Sequence, residues 1–134
     1  MEKIKIMLDT SAYSAYLRGN DEVRQALRAA DEIYVNPVVL GELYAGFARG
    51  TRGKKNRGIL REFLSSPRVQ VAVIDEETAE RYASILFYLW SKGTPIPTND
   101  LWISATAMQH GLKLITTDSH FQQVPQIIVE CCGV

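Results

Sequence analysis

The sequence predicts an α/β fold in which a central parallel sheet is covered on both faces by helices. Strand-like runs alternate with helix-like segments along the chain, the pattern left by crossover connections in a parallel sheet. The 134 residues suit one domain, spanning 1–134, that buries about two-thirds of its unfolded surface and needs no staples for its core. Hydrophobic residues at 46% and charged residues at 22% exclude wholesale disorder. No internal repeat, low-complexity stretch or domain boundary interrupts the pattern.

Each element follows from local chemistry. Ile4 to Leu8 is an apolar, β-rich run that stops at the capping cluster Asp9-Thr10-Ser11, and Ala12 to Leu17 reads as a short helix closed by Gly19. A second helix starts at Asn20 or Asp21 and lines up Val23, Ala26, Leu27 and Ala30 on one face. Ile33 to Val35 is a short strand. Asn36-Pro37 then opens a helix to about Arg49, proline being suited to a first turn. Gly50 to Gly53 is a turn, after which Ile59, Leu60, Phe63 and Leu64 form the stripe of the next helix. Val69 to Ile74 is a strand. Asp75 caps a long helix whose Glu76, Glu77 and Glu80 suit its positive end and whose Ala79, Tyr82, Ala83, Leu86, Leu89 and Trp90 are expected to line the core. Gly93 to Pro97 makes a stiff connector. The next helix starts near Thr98-Asn99-Asp100, turns Ile103, Ala107 and Met108 inward and ends at Gly111. Leu112 to Ile115 is a strand ending in Thr116-Thr117-Asp118, and a turn through His120 and Phe121 leads to a last strand, Ile127 to Val129.

Composition narrows the function. Cys131 and Cys132 are the two cysteines, too few for a disulfide framework or a four-ligand zinc site. The longest apolar run, Ile85 to Trp90, is too short to span a bilayer, and the N-terminus is not a signal peptide, so a soluble cytoplasmic protein is expected. Fifteen basic residues balance fifteen acidic ones. The balance is uneven along the chain: residues 49 to 68 carry Arg49, Arg52, Lys54, Lys55, Arg57, Arg61 and Arg68 against the single acid Glu62. Such a segment meets a polyanion, meets an acidic partner, or is a solvated helix face.

Ligands of an open parallel sheet sit beyond the carboxyl ends of its strands. Asp9 and Asp118 end strands there, Asp100 lies at a helix start, and Glu42 lies in the helix after the second strand. Singly, Asp9 and Asp100 also read as N-caps, Asp118 as a turn former and Glu42 as an exposed helix residue. Val38, Val39, Leu40, Leu43 and Phe47 leave Glu42 little polar company, and an unpaired buried carboxylate is costly. Four carboxylates meeting at one point would repel one another, a conflict that a divalent cation removes. With no cysteine or histidine cluster, all-oxygen ligation selects Mg2+ or Mn2+ over zinc. Hydroxyls of Thr10, Ser11, Thr116 and Thr117 stand beside these acids as orienting groups. No dinucleotide fingerprint, P-loop, nucleophile elbow or metalloprotease histidine pair is present. His120 reads as an exposed turn residue, with contact to a phosphate as the alternative.

In order, Leu8-Asp9-Thr10-Ser11, Val39-Leu40-Gly41-Glu42-Leu43, Asn99 to Ala107 and Thr116-Thr117-Asp118-Ser119-His120-Phe121 resemble the motifs of the PIN-domain ribonucleases, most of all their VapC-like toxin branch. The resemblance runs from Ile4 to Val129, and the four motifs are specific together where each alone is weak. It implies a three-layer α/β/α sandwich whose carboxylate cluster, here Asp9, Glu42, Asp100 and Asp118, binds Mg2+ or Mn2+. It further implies an endoribonuclease acting as the toxin of a toxin–antitoxin pair, with RNA as substrate, a small antitoxin protein as partner and a homodimeric assembly. A housekeeping RNA-processing nuclease without antitoxin and an inactive PIN-like binding module stand beside that reading; the intact set of four acids speaks against the second. Arg49, Arg52, Lys54 and Lys55 follow the helix bearing Glu42 and are expected to contact RNA. Two departures stand out: His120 replaces a further acidic or basic residue of many members, and Val124-Pro125-Gln126 lacks the glycine often found there.

Overall fold

A computed structural model describes residues 2–133. In chain order the elements are β1 (Lys5–Leu8), α1 (Thr10–Leu17), α2 (Asp21–Ala29), β2 (Glu32–Val35), α3 (Pro37–Arg49), α4 (Gly53–Leu64), β3 (Val69–Val71), α5 (Glu76–Lys92), α6 (Thr98–His110), β4 (Lys113–Thr116), a 3-10 turn (Ser119–Gln123) and β5 (Ile128–Cys131). The five strands form one sheet in the order β3-β2-β1-β4-β5, every pair parallel, with the six helices flanking it. This is the expected α/β/α architecture.

Strand β1 is central. The chain leaves it toward β2 and β3, then returns to its other side for β4 and β5, so the order reverses between β1 and β4. That reversal opens a crevice at the carboxyl ends of those two strands. Register sets Leu8 beside Ile115, which places Asp9 and the Thr116-Thr117-Asp118 segment at the same edge. Ile6, Met7, Leu8, Leu114 and Ile115 are all buried, as strands covered on both faces must be. They join Tyr13, Val39, Leu43, Leu60 and Ile103 in the main core, while Ile85, Leu89, Leu101, Ala105 and Val124 form a second cluster.

Three expectations are corrected. The strand placed over Val69–Ile74 ends at Val71, with Val73 exposed. Val71 pairs with Val35, and β2 cannot continue because Asn36-Pro37 starts α3; edge strand β3 therefore runs out of partner. The last strand runs from Ile128 to Cys131 instead of Ile127 to Val129, following β4 residue for residue up to Thr116 opposite Cys131. Of the set expected to line the core from α5, Leu89 is buried and Tyr82 and Leu86 pack against the second cluster. Ala79, Ala83 and Trp90 are exposed, Trp90 at 69% beside an equally open Phe87, and Thr78 and Ile85 complete the buried face instead. Helix α5 packs chiefly on α6, so a single neighbour selects one narrow face.

Helix ends fix where the functional elements begin. Asp9, Asn20, Asn36 and Asp75 cap α1, α2, α3 and α5 through their side chains. Gly93 and Gly111 end α5 and α6 in the left-handed conformation, at φ of 66° and 64°. Helices α3 and α4 lie antiparallel: the Arg57 guanidinium stacks over Tyr44 at 4.5 Å, and a side chain at Gly53 would press within 3.2 Å of the Phe47 carbonyl oxygen. Among the described residues no helix is long and apolar enough to cross a membrane.

Candidate metal centre

The site grows from the end of β1. Asp9 is 4% exposed, and its Oδ1 accepts the Ala12 N–H at 2.8 Å, capping α1 as one of its two sequence readings required. The same carboxylate also accepts the Ser11 hydroxyl at 2.8 Å and, on Oδ2, the Thr116 hydroxyl at 2.6 Å. Capping and membership of an acidic cluster therefore coexist in one residue. Burial pushes the Asp9 carboxyl above its ordinary range, the bonds from Thr116, Ala12 and Ser11 oppose that, and the charge of Asp118 adds to it.

Two hydroxyls tie β1 to β4. Thr116 donates to Asp9 while accepting the Asp118 N–H at 2.9 Å, and Ser11 accepts the Thr117 N–H at 3.0 Å. Thr117 contributes this backbone N–H, and among the described residues its hydroxyl makes no bond to an acid. Asp118 caps the 3-10 turn by accepting the His120 N–H at 2.9 Å, so its turn-forming reading holds as well.

Glu42 arrives from α3, half-buried, with both oxygens engaged. The Thr10 hydroxyl donates to Oε1 at 2.5 Å and the Asn99 amide to Oε2 at 3.1 Å. Asp100 occupies the first turn of α6 without capping it: Pro97 holds the cap position and makes no side-chain bond there. The positive helix end favours a carboxylate at that place. Burial and then the charges of Asp118, Asp9 and Glu42 nevertheless push the Asp100 carboxyl up from 3.8 to about 6, against the opposing effect of His120. The charges of three acids from three other segments thus reach Asp100.

Asn99 and Asn36 were not expected at the site, and His120, expected as a turn residue with phosphate contact as the alternative, lies against its acids. His120 Nδ1 lies 3.0 Å from Asp118 Oδ1 and 3.9 Å from Asp100 Oδ2. One ligand atom from each of Asp100, Asp118 and His120 falls within 4.8 Å of the others. Asn99 holds Glu42 as described. Asn36, wholly buried, caps α3 by accepting the Val39 N–H at 3.0 Å and donates to Thr106 Oγ1 of α6 at 2.9 Å. The basic residues Arg49, Arg52, Lys54 and Lys55 are exposed at the tip where α3 turns into α4. Arg49 lies seven residues beyond Glu42, about 10 Å along the helix axis.

A model of the PIN domain family matches residues 6–127. Ribonuclease VapC4 of Mycobacterium tuberculosis is 30% identical over 95 residues, covering 71% of this chain and 73% of that protein. Toxin FitB of Neisseria gonorrhoeae is 32% identical over 123 residues, covering 85% of this chain and 88% of that one. The crystal structure of VapBC2 from Rickettsia felis bound to a DNA fragment from their promoter is similar at a TM-score of 0.83 and 26% identity, over 95% of this chain and 98% of that one. With a PIN model spanning nearly every element and VapC-like relatives of this identity and coverage, the chain belongs to the PIN domain family, in its VapC-like branch.

Proposed function

We propose that this chain is a metal-dependent endoribonuclease that hydrolyses RNA phosphodiester bonds and acts as the toxin of a toxin–antitoxin pair, restrained by a small antitoxin protein. The observation that carries it is that Asp9, Glu42 and Asp118 all reach Asp100 with their charge, so that burial first and these three acids next push its carboxyl up to about 6. Carboxylates that crowd this closely favour a cation between them, and an oxygen-rich donor set suits Mg2+ or Mn2+. The names of the similar proteins, Ribonuclease VapC4 and Toxin FitB, support the same reading. The homodimer belongs to the proposal too, and the mass of the free chain by light scattering tests it.

In this reading Asp9, Glu42, Asp100 and Asp118 hold the ion. A bound divalent cation supplies positive charge for the phosphate and lowers the pKa of a coordinated water. The chain's own residues hold the constellation in place: Ser11 and Thr116 fix the Asp9 carboxylate, while Thr10 and Asn99 hold Glu42 from two different elements. The purified protein is expected to cut single-stranded RNA with Mg2+ or Mn2+ and to stop in excess EDTA. Expressed without antitoxin it is expected to arrest bacterial growth, whereas the Asp100→Asn variant is not. Cleavage that persists in EDTA, free of contaminating nuclease, removes the metal; normal growth with ample soluble protein favours a housekeeping nuclease or a binding module.

Arg49, Arg52, Lys54 and Lys55 are assigned to RNA, because carboxylates alone repel phosphate. Each phosphate contact steepens the salt dependence of single-strand binding by about 0.7 in log–log slope. The quadruple alanine variant is therefore expected to bind RNA more weakly and with a flatter slope, at unchanged metal affinity. An unchanged slope in filter binding or anisotropy would assign the α3–α4 tip to a protein partner or to solvent.

A further inference from the structure

We propose that His120 is itself a ligand of the bound ion, through Nδ1, and that this imidazole makes the centre prefer Mn2+ to Mg2+. The inference rests on the metal-dependent reading above and adds a nitrogen donor to it. The 3-10 turn that Asp118 caps brings the ring back over the cluster, with Nδ1 at 3.0 Å from Asp118 Oδ1 and 3.9 Å from Asp100 Oδ2. In an octahedral shell with bonds of about 2.1 Å, adjacent ligand atoms stand about 3 Å apart and opposite ones about 4.2 Å. The separation from Asp118 matches adjacent positions, and that from Asp100 falls between adjacent and opposite, so a small side-chain adjustment completes the shell. The ring therefore reaches a shared ion with the backbone where it stands.

The surroundings favour ligation over a simple ion pair. Asp100 is half-buried, and one ligand atom from each of Asp100, Asp118 and His120 lies within 4.8 Å of the others, close enough to share one ion. The His120 side chain is 51% exposed and already lies against both carboxylates. Mg2+ demands oxygen ligands and gives up water reluctantly, whereas first-row transition ions accept imidazole readily. One nitrogen among carboxylates thus shifts preference toward Mn2+. The other histidine plays no part: His110 ends α6, ten residues or about 15 Å from Asp100, and stacks on Tyr34.

The test is pulsed electron paramagnetic resonance on the wild-type chain loaded with Mn2+, with histidine labelled by 15N. Direct ligation is expected to show nitrogen modulation that changes on labelling, survives His110→Ala and vanishes in His120→Ala. In titrations followed by the Mn2+ signal, with Mg2+ as competitor, His120→Ala is expected to weaken Mn2+ binding about tenfold and Mg2+ binding by no more than about threefold. Mn2+ bound without nitrogen modulation, or equal losses for the two ions, overturns the His120 assignment and leaves the carboxylate centre standing. An Asp100→Asn chain that binds both ions as well as wild type overturns the carboxylate centre, and the His120 assignment with it.

Discussion

Asp100→Asn is expected to lower RNA cleavage by about three orders of magnitude while making the metal-free protein more stable at neutral pH. The first effect follows from the role proposed for Asp100 in holding the ion. The second follows from proton linkage. The Asp100 carboxyl is raised from 3.8 to about 6 in the fold, first by burial and then by Asp118, Asp9 and Glu42. A raised acid binds its proton more tightly in the folded state, so its contribution to stability is complete below about pH 4 and is lost as pH climbs through about 6. Above that, the charged group destabilises the fold by about 2 kcal/mol, allowing for the solvent that reaches it. Asparagine removes the charge and the pH dependence together. Thermal unfolding in EDTA between pH 4 and 8 is expected to show the variant's advantage opening through pH 5–6 and reaching about 5 °C at pH 7.5. Adding Mn2+ reverses the order, because only wild type gains binding energy from it. A variant no more stable than wild type at pH 7.5 contradicts the crowding; full cleavage activity contradicts the assignment of Asp100. Asp9→Asn is a poorer probe, since the Asp9 carboxylate accepts from Ser11, Ala12 and Thr116, and an amide nitrogen would face donors.

How much of this was legible depends on the range of the interaction involved. Asp9 and Asp118 were visible because they end strands, and in a parallel sheet every strand's carboxyl end lies at one edge. Glu42 was visible through its apolar flanks. The Asn99 amide on Glu42 and the Asn36 amide on Thr106 were not, because each joins residues 57 or 70 positions apart and asparagine is unremarkable at a helix start. His120 looked like a turn residue and is one; only the cap by Asp118 sends its ring toward the acids. The face of α5 misled for another reason. Apolar residues run nearly all round that helix, so periodicity could not choose among them. The buried side is selected by a polar residue, Thr78, which completes the capping box with Asp75 and meets Gln109 of α6. Charge patterning located the basic tip, and the helical hairpin placed it about two helical turns beyond Glu42.

Asn36→Ala is expected to cost about 2–3 kcal/mol of stability, or about 10 °C in Tm, and to weaken metal binding about tenfold. Asn36 is wholly buried and works on two helices at once. Its Oδ1 takes the Val39 N–H that starts α3, and its amide reaches Thr106 Oγ1 at 2.9 Å and the Trp102 carbonyl at 3.4 Å on α6. Alanine removes the cap, leaves the buried Val39 N–H without its partner and takes the Asn36 amide away from Thr106 Oγ1, which keeps its own bond to the Trp102 carbonyl. Helix α3 carries Glu42, and α6 carries Asn99 and Asp100, so this tie sets the spacing across which Glu42 meets the Asn99 amide at 3.1 Å. Loosening it lets one carboxylate drift from the other three. Asn36→Ser separates the two duties: serine restores the cap but its short hydroxyl cannot also bridge to Thr106. That variant is expected to regain about half of the lost stability and little of the metal affinity, measured by urea unfolding and Mn2+ titration on the same samples. If Asn36→Ser recovers both together, the cap alone places Glu42. If Asn36→Ala binds metal like wild type, α3 is positioned by its apolar contacts through Val39 and Leu43, with no help from the tie to α6.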